Sequence, residues 1–327
     1  MKLTIIFAPM LIIQIIAGDI NNTNGVNDEN AIYDHLKTVL PKFSPPKDLL
    51  NNSVFVYLDL YQILSVNEQN GYMTVKLWVY FYYYSKSAIW NATENGDLKV
   101  LLFPQDTFWT PDVVIMDAIE TKYEPFTRQA VRGDIGSIVS WSSAVTVMIS
   151  CQFDVSLFPY DEQNCVVGFE SWILDRDSYV LEVDPDLAAT SEVPLSHYRE
   201  HEEWELIRPV EFFKEDEEDH EEILTIIKIK RRHVFYSLVF MLPLAILYAF
   251  SGFVFLVPVD SGEKISFALT LLLAQTVACG TVADFLPASS LHVPKIAYFL
   301  VITVFQIAAN SLLTVLGNQF IYLLILN

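Results

Sequence analysis

From Val54 to about Ile229 apolar and polar residues take turns along the chain. The runs VFVYLDLYQIL, YMTVKLWVYFYYY, SWSSAVTVMIS and EEILTIIKIK alternate over several positions, with Asn-Gly and Pro-Asp pairs punctuating them. Alternation with period two is the signature of strands that bury one face, and many short strands predict an antiparallel, immunoglobulin-like all-β sandwich. Residues 28–41 read as one helix ahead of it. There is no internal repeat and no low-complexity linker.

At KIKRRH, 228–233, the pattern changes. Val234 to Val259 is 26 residues without a charge, Ile265 to Ala283 another 19, and Ile296 to Asn327 another 32. Each run is long enough as a helix to cross about 30 Å of hydrocarbon at 1.5 Å per residue. The expectation is a sandwich over 28–233 and an α-helical bundle over 234–327, with spans at about 234–258, 263–284 and 295–318. Pro243 should kink the first span.

The N-terminus, MKLTIIFAPMLIIQIIAG, has one lysine, an apolar run and then small residues. That is the pattern of a secretory signal over 1–17, cleaved near Ala17–Gly18. The sandwich would then be extracellular and the first span would enter from outside. The basic cluster at 228–233 then opposes the positive-inside tendency, which large exported domains can override. VDSGEK is short enough only for a tight cytoplasmic hairpin. In an oxidising compartment Cys151 and Cys165 should pair, which contributes about 3 kcal/mol in the chain-entropy picture. Cys279, in an apolar run, reads as a buried free thiol. Asn21, Asn51 and Asn91 open Asn-x-Ser/Thr glycosylation triplets.

Charge is uneven. Residues 19–233 hold 37 acidic and 17 basic side chains, and no acid follows Asp284. An exterior this negative repels nucleic acid and attracts cations, or serves solubility alone.

The second span differs from its neighbours. Steps of three or four residues bring Glu263, Ser266, Thr270, Leu273, Val277, Thr281 and Asp284 onto one helix face. Carboxylates select cations, hydroxyls solvate them and an apolar middle can stop flow by dewetting. One helix cannot line a pore, so a ring of subunits is implied. The competing account has the hydroxyls bonding backbone or neighbouring helices within a bundle.

Several motifs together resemble the Cys-loop pentameric ligand-gated ion channels over roughly 30–320. The thirteen-residue loop between Cys151 and Cys165 carries Phe158-Pro159-Tyr160-Asp161, FWTPD at 108–112 matches a Trp-x-Pro-Asp segment, and Trp172 follows Cys165 by seven. SGEKISFALTLLLAQTV, EWEL at 203–206 and the Arg-Arg pair are similar to serotonin type 3 receptor subunits.

The resemblance implies a plasma-membrane, multi-pass subunit with an extracellular N-terminus, in a postsynaptic setting. It implies four further subunits of the same or a related kind, a small cationic ligand such as a serotonin-like amine, and permeating Na⁺, K⁺ and Ca²⁺ in a lipid bilayer. Glu263 would form the cytoplasmic selectivity ring and Leu273 the gate. Gly262-Glu263 replaces the Pro-Ala insertion of anion-selective members. Ligand contacts would come from Trp172, from Met116 and Asp117 beside the Trp-Pro-Asp segment, and from Phe212 and Phe213 on a capping hairpin. Tyr83, five after Trp78, and Trp141 would supply the neighbouring face, with cation–π attraction to an ammonium group. Gating would pass through Glu68, Phe158, Pro159, Tyr160, Asp161, Arg231 and Pro294, with a Glu68–Arg231 ion pair and a stiff Phe-Pro-Tyr wedge. Plain surface charge is the alternative for Glu68 and Arg231.

The capping hairpin, FFKEDEEDHEEIL at 212–224, departs from the family in lacking tyrosines and holding seven carboxylates within 215–222. A solvated acidic tip, a site responsive to protons or divalent cations, and an acidic lid over an amine all fit. His197, His201 and His220 have no recognised zinc spacing, so no metal or cofactor is expected. Family members continue to a fourth span, whereas this sequence ends at FIYLLILN, which reads as a truncated product or incomplete gene model. A non-conducting regulatory subunit is therefore the rival reading. No hydrolase, metalloprotease or phosphate-loop motif is present, so an enzyme is not expected.

Overall fold

A computed structural model describes residues 23–92, 95, 97–104, 107–123, 128–132, 137–190, 192–208, 210–216, 221–258, 263–287 and 293–326. Residues 1–22, which hold the expected signal sequence and Asn21, and residues 217–220 and 259–262 lie outside the described residues.

Helix α1 (Thr23–Val39) buries Ile32 and Leu36, with Leu40 just beyond it, on the main hydrophobic core. Twelve strands follow among the described residues: β1 (Leu49–Asn67), β2 (Tyr72–Ser85), β3 (Val100–Pro104), β4 (Val113–Met116), β5 (Ala118–Tyr123), β6 (Arg128–Arg132), β7 (Ile138–Ser150), β8 (Glu162–Ser171), β9 (Val180–Val183), β10 (Trp204–Leu206), β11 (Glu211–Asp216) and β12 (Glu221–Arg231), with the short α2 (Pro185–Thr190) after β9. One sheet runs β3-β6-β7-β2-β1-β9 with β5 also on β7; the other runs β10-β12-β8-β4 with β11 also on β12. The pairing is antiparallel except for β1 with β9, which run parallel. A parallel neighbour requires a crossover rather than a hairpin, which alternation within single strands cannot reveal. The two sheets enclose Val56, Leu58, Leu60, Val75, Leu77, Val147, Val167 and Ile227. A Cys151–Cys165 disulfide ties the end of β7 to β8, and so one sheet to the other.

Among the described residues three helices are long and apolar enough to cross a membrane: Val234–Leu256, Lys264–Ala283 and Lys295–Gly317. The first is composite, with α3 (Val234–Tyr236), a π turn over Ser237–Met241, α4 (Leu242–Phe253) and a final 3₁₀ turn. Pro243 has no N–H to donate, and its ring crowds the carbonyl four residues back. The wider π turn lies where those carbonyls lose their partner. The second and third are α5 (Lys264–Ala283) and α6 (Lys295–Leu326). Gln275 and Thr303 join them through Nε2–H donating to Oγ1 at 2.8 Å, and Asn310 donates to Ser251 Oγ at 3.2 Å. Such bonds hold helices together where water is absent. Cys279 is free and half-buried, less enclosed than the sequence led us to expect, because it lies beside the face that α5 turns outward.

Candidate functional site

Three places gather the residues singled out by sequence: a loop at the side of the sandwich, the junction with the helices, and the open face of α5.

Asp112, from FWTPD, organises the first. Its backbone carbonyl accepts from Trp172 N–H at 3.2 Å. Its carboxylate accepts from the N–H groups of Ile173 and Leu174, from Tyr179 Oη–H at 3.0 Å and from Ser171 Oγ–H at 3.2 Å. Burial opposes its ionisation, but these donors outweigh burial and hold the carboxyl below its ordinary value. The loop so fixed presents Trp172 with 65% of its surface exposed. Met116 is half-buried on β4 opposite Gly168, and Asp117 is exposed in a left-handed turn at φ 56°. The backbones of Phe212 and Phe213 pair with Thr225 and Leu224 on β12; their side chains lie outside what is described. Lys214 ties β11 to Glu182 of β9 at 3.1 Å.

Two aromatic candidates are placed differently from the expectation. Tyr83 is fully buried, near Trp109 (5.7 Å) and Trp141 (6.2 Å), and its hydroxyl donates to the Trp109 carbonyl. Trp141 is half-buried on the same core side, stacked on Phe81 at 5.5 Å. Five is an odd offset, so a residue five beyond Trp78 turns to the opposite face of the strand. The face turned away from the core at this level carries Trp78 opposite Ala144 and Tyr80 opposite Ser142. Strict application of the alternation would have selected these two.

The junction centres on Arg231, at the end of β12 and 3% exposed. Its guanidinium donates to both oxygens of Asp161 (2.9 and 3.1 Å), to Glu203 (3.1 Å) and to Glu68. The rings of Trp204, Phe158 and Tyr236 lie 4.2, 5.0 and 5.3 Å away. Burial works against the charge, but Asp161 and Glu68 hold the guanidinium above its ordinary value. The Glu68–Arg231 pair therefore exists, inside a larger cluster. Glu203 and Trp204, on and beside β10, escaped sequence reasoning because nothing local marks them; EWEL pointed only to kinship.

Phe158 is buried among Tyr236, Leu244, Val282, Ile296 and Leu300, so the disulfide loop reaches into the helical bundle. Tyr160, expected to share that wedge, is instead 54% exposed. Its hydroxyl carries a polar end that stays toward solvent and Ser237 Oγ, 3.2 Å away. Pro159 separates the two through a cis peptide, and Asp161 is buried against Arg231. Lys295 N–H donates to Ser156 O at 2.9 Å, directly after the buried Pro294, and Gln69 Nε2–H donates to the Asp284 carbonyl.

On α5, Lys264, Ala268, Leu271, Gln275 and Val282 are buried. Glu263, Ser266, Thr270, Leu273, Val277, Thr281 and Asp284 are all exposed, Leu273 to 65%. The helix thus has a packed side and an open side, and the polar-apolar-polar stripe is the open one.

A family model described as the neurotransmitter-gated ion-channel ligand binding domain matches residues 29–233, and one described as the neurotransmitter-gated ion-channel transmembrane region matches 240–316. The chain belongs to the neurotransmitter-gated ion channels. Among its relatives are an acetylcholine receptor subunit alpha-like of Manduca sexta, 30% identical over 85% of this chain and 56% of its own length, and the neuronal acetylcholine receptor subunit beta-2 of Carassius auratus, 30% identical over 77% and 54%. The neuronal acetylcholine receptor subunit alpha-6 of Mus musculus is 26% identical over 90% and 60%. The chain thus spans between about half and three fifths of these relatives. They establish kinship with the family of ion channels at large, not with its serotonin-type branch, and this is not a family of enzymes. Asn51 and Asn91 are exposed, compatible with glycans on a ligand-binding domain.

Proposed function

We propose that this chain is a subunit of a cation-selective pentameric channel opened by a small extracellular ammonium ligand. The observation that carries the reading is the open face of α5. Acids at both ends, hydroxyls between them and Leu273 with Val277 at the centre are all exposed while the opposite side is packed. Asp284 sits at the C-terminal end of its helix, where the macrodipole disfavours an acid. Its place there is easier to understand from permeating cations than from helix stability.

The ligand would rest between Trp172 of one subunit and Trp78 with Tyr80 of the next, held by cation–π attraction. The relatives' names favour acetylcholine-like ammonium compounds; serotonin-like amines are the second class, from the likeness of the second span. Four like or related subunits would complete the ring in a plasma membrane, at a synapse, passing Na⁺, K⁺ and Ca²⁺. The acidic hairpin supports a further reading, in which protons or divalent cations open the channel.

Voltage clamp of cells expressing the chain, alone and with a full-length relative, tests these readings against ammonium ligands, low pH and divalent metals. Leu273→Thr should lower the ligand concentration needed, and Glu263→Gln should shift the reversal potential away from cation selectivity. Current only with a partner would favour a regulatory subunit. No current in any arm, Leu273→Thr included, would overturn the channel reading.

A further inference from the structure

Asp59 lies on β1 with its side chain turned away from the core, directly across from Trp78. An outward carboxylate on this domain should be hydrated, yet only 9% of its side chain is exposed. The cover is the segment 195–199, which straps across the strand. Arg199 N–H donates to Tyr61 O at 2.9 Å, Gln62 and Arg199 form a β-bridge, and the Arg199 guanidinium lies 5.2 Å from the Tyr61 ring.

Under this strap Asp59 is half satisfied. Oδ2 meets His197 Nδ1 at 3.3 Å, a nitrogen shared with Ser196 Oγ at 3.0 Å. Oδ1 is buried without a donor. A carboxylate taken from water with one oxygen unpaired is among the costliest arrangements in a folded protein. A proton cancels the charge and needs no added space.

We propose that Asp59 and His197 form a proton-binding site that sets how firmly the strap 195–199 is docked on β1, so that external acid tightens it. The charged and titratable groups around it are Tyr57 and Tyr61 on its own strand, Lys76 and Tyr80 on β2, and His197, Tyr198 and Arg199 on the strap. Lys76 and Arg199 both lie over the Tyr61 ring, and Asp184 with Asp186, at the start of α2, acts on Tyr57 as Asp59 does. His197 is in polar contact with Asp59.

The direction follows from burial, which pushes the Asp59 carboxyl above its ordinary value while His197 pulls it back in part. With the strap lifted the carboxyl is hydrated and returns to that ordinary value. The docked form therefore holds the proton more tightly. As pH falls through the raised value docking is favoured; above it a bare carboxylate lies under the strap and docking weakens. β1 ends at Asn67, directly before Glu68 and Gln69 at the junction, so under the channel reading acid would alter the ligand concentration needed for opening. That consequence rests on the proposed function; the proton site does not.

Hydrogen exchange of the full-length chain in lipid nanodiscs tests the site without any ligand or current. After correction for intrinsic chemistry, exchange of the Arg199 amide should be about threefold or more slower near pH 4 than near pH 7, a window that opens just above the ordinary carboxyl value. Asp59→Asn should remove the difference while β12 amides stay unchanged. His197→Leu, at a half-exposed position, should move the midpoint to higher pH, since the imidazole no longer opposes protonation. A flat wild-type profile, a wild-type dependence retained in Asp59→Asn, or an unmoved midpoint in His197→Leu would overturn the proposal.

Discussion

Replacing Arg231 with methionine keeps the length and apolar stem of the side chain and removes the charge. The loss is large because of what stays behind. Asp161 is 1% exposed, and without Arg231 its side chain keeps Gln163 Nε2 as its donor, at 2.6 Å. Removing one partner of a buried pair typically costs about 3–5 kcal/mol, most of it the penalty for the charge left unpaired. For a domain of this size that is about 6–20 °C in the midpoint of thermal unfolding. Thermal melts of the purified chain in detergent, followed by intrinsic tryptophan fluorescence, report it directly, because Trp204 packs on the guanidinium. The double variant Arg231→Met with Asp161→Leu removes the stranded charge and should recover a large part of the loss. A single variant that melts within about 1 kcal/mol of wild type, or a double variant no better than the single, would refute this account.

The other carboxylates around Arg231 should rank by burial. Glu203→Gln, with its side chain 39% exposed, should cost at most about 1 kcal/mol, and Asp161→Asn several times more, in the same melts. Asp112→Ala frees the Trp172 loop and should cost about 1–3 kcal/mol. Because the Asp112 carboxyl is held below its ordinary value, its contribution is present at neutral pH and lost as pH falls through the lowered value. The variant's stability should therefore be flatter on the acid side. Cys165→Ser should lower stability by about 2–5 kcal/mol, compared under non-reducing conditions. Thr303→Val leaves the Gln275 amide unpaired between α5 and α6 and should cost about 1–2 kcal/mol, whereas Gln275→Leu, which also removes a buried oxygen without a donor, should cost less.

Sequence served best where a local period decides the outcome. The stripe on α5 needed only the helical repeat, because one side of that helix must pack on α4 and α6 and the other need not. The strands were legible for the same reason, but faces within a strand depend on counting every residue. Trp78 and Tyr83 show the cost of an odd offset: a binding candidate became a core residue paired with Trp109. Motif kinship supplied Glu68 and Arg231, whereas the Cys151–Cys165 pairing followed from the exported N-terminal half and its oxidising compartment. Glu203, Trp204 and the strap at 195–199 were not legible. They belong to irregular chain or a three-residue strand, where no period operates and contacts are set by distant parts of the fold.

The junction is better described as a cluster with unequal members than as one ion pair. Three carboxylates, Glu68, Asp161 and Glu203, share a single guanidinium, so the charges do not cancel. The excess is shared out by Gln163 donating to Asp161 and by Tyr236 donating to Glu203. Asp161 is held at both oxygens and buried, which makes the disulfide loop and β12 one rigid piece at this point. Glu68 and Glu203 each meet the guanidinium by one contact and are more exposed than Asp161. Between sandwich and helices, single hydrogen bonds run from Gln69 to the Asp284 carbonyl, from Lys295 N–H to the Ser156 carbonyl and from Tyr236 to Glu203. Phe158, seated among side chains from all three helices, would move with Asp161 and carry the displacement into the bundle.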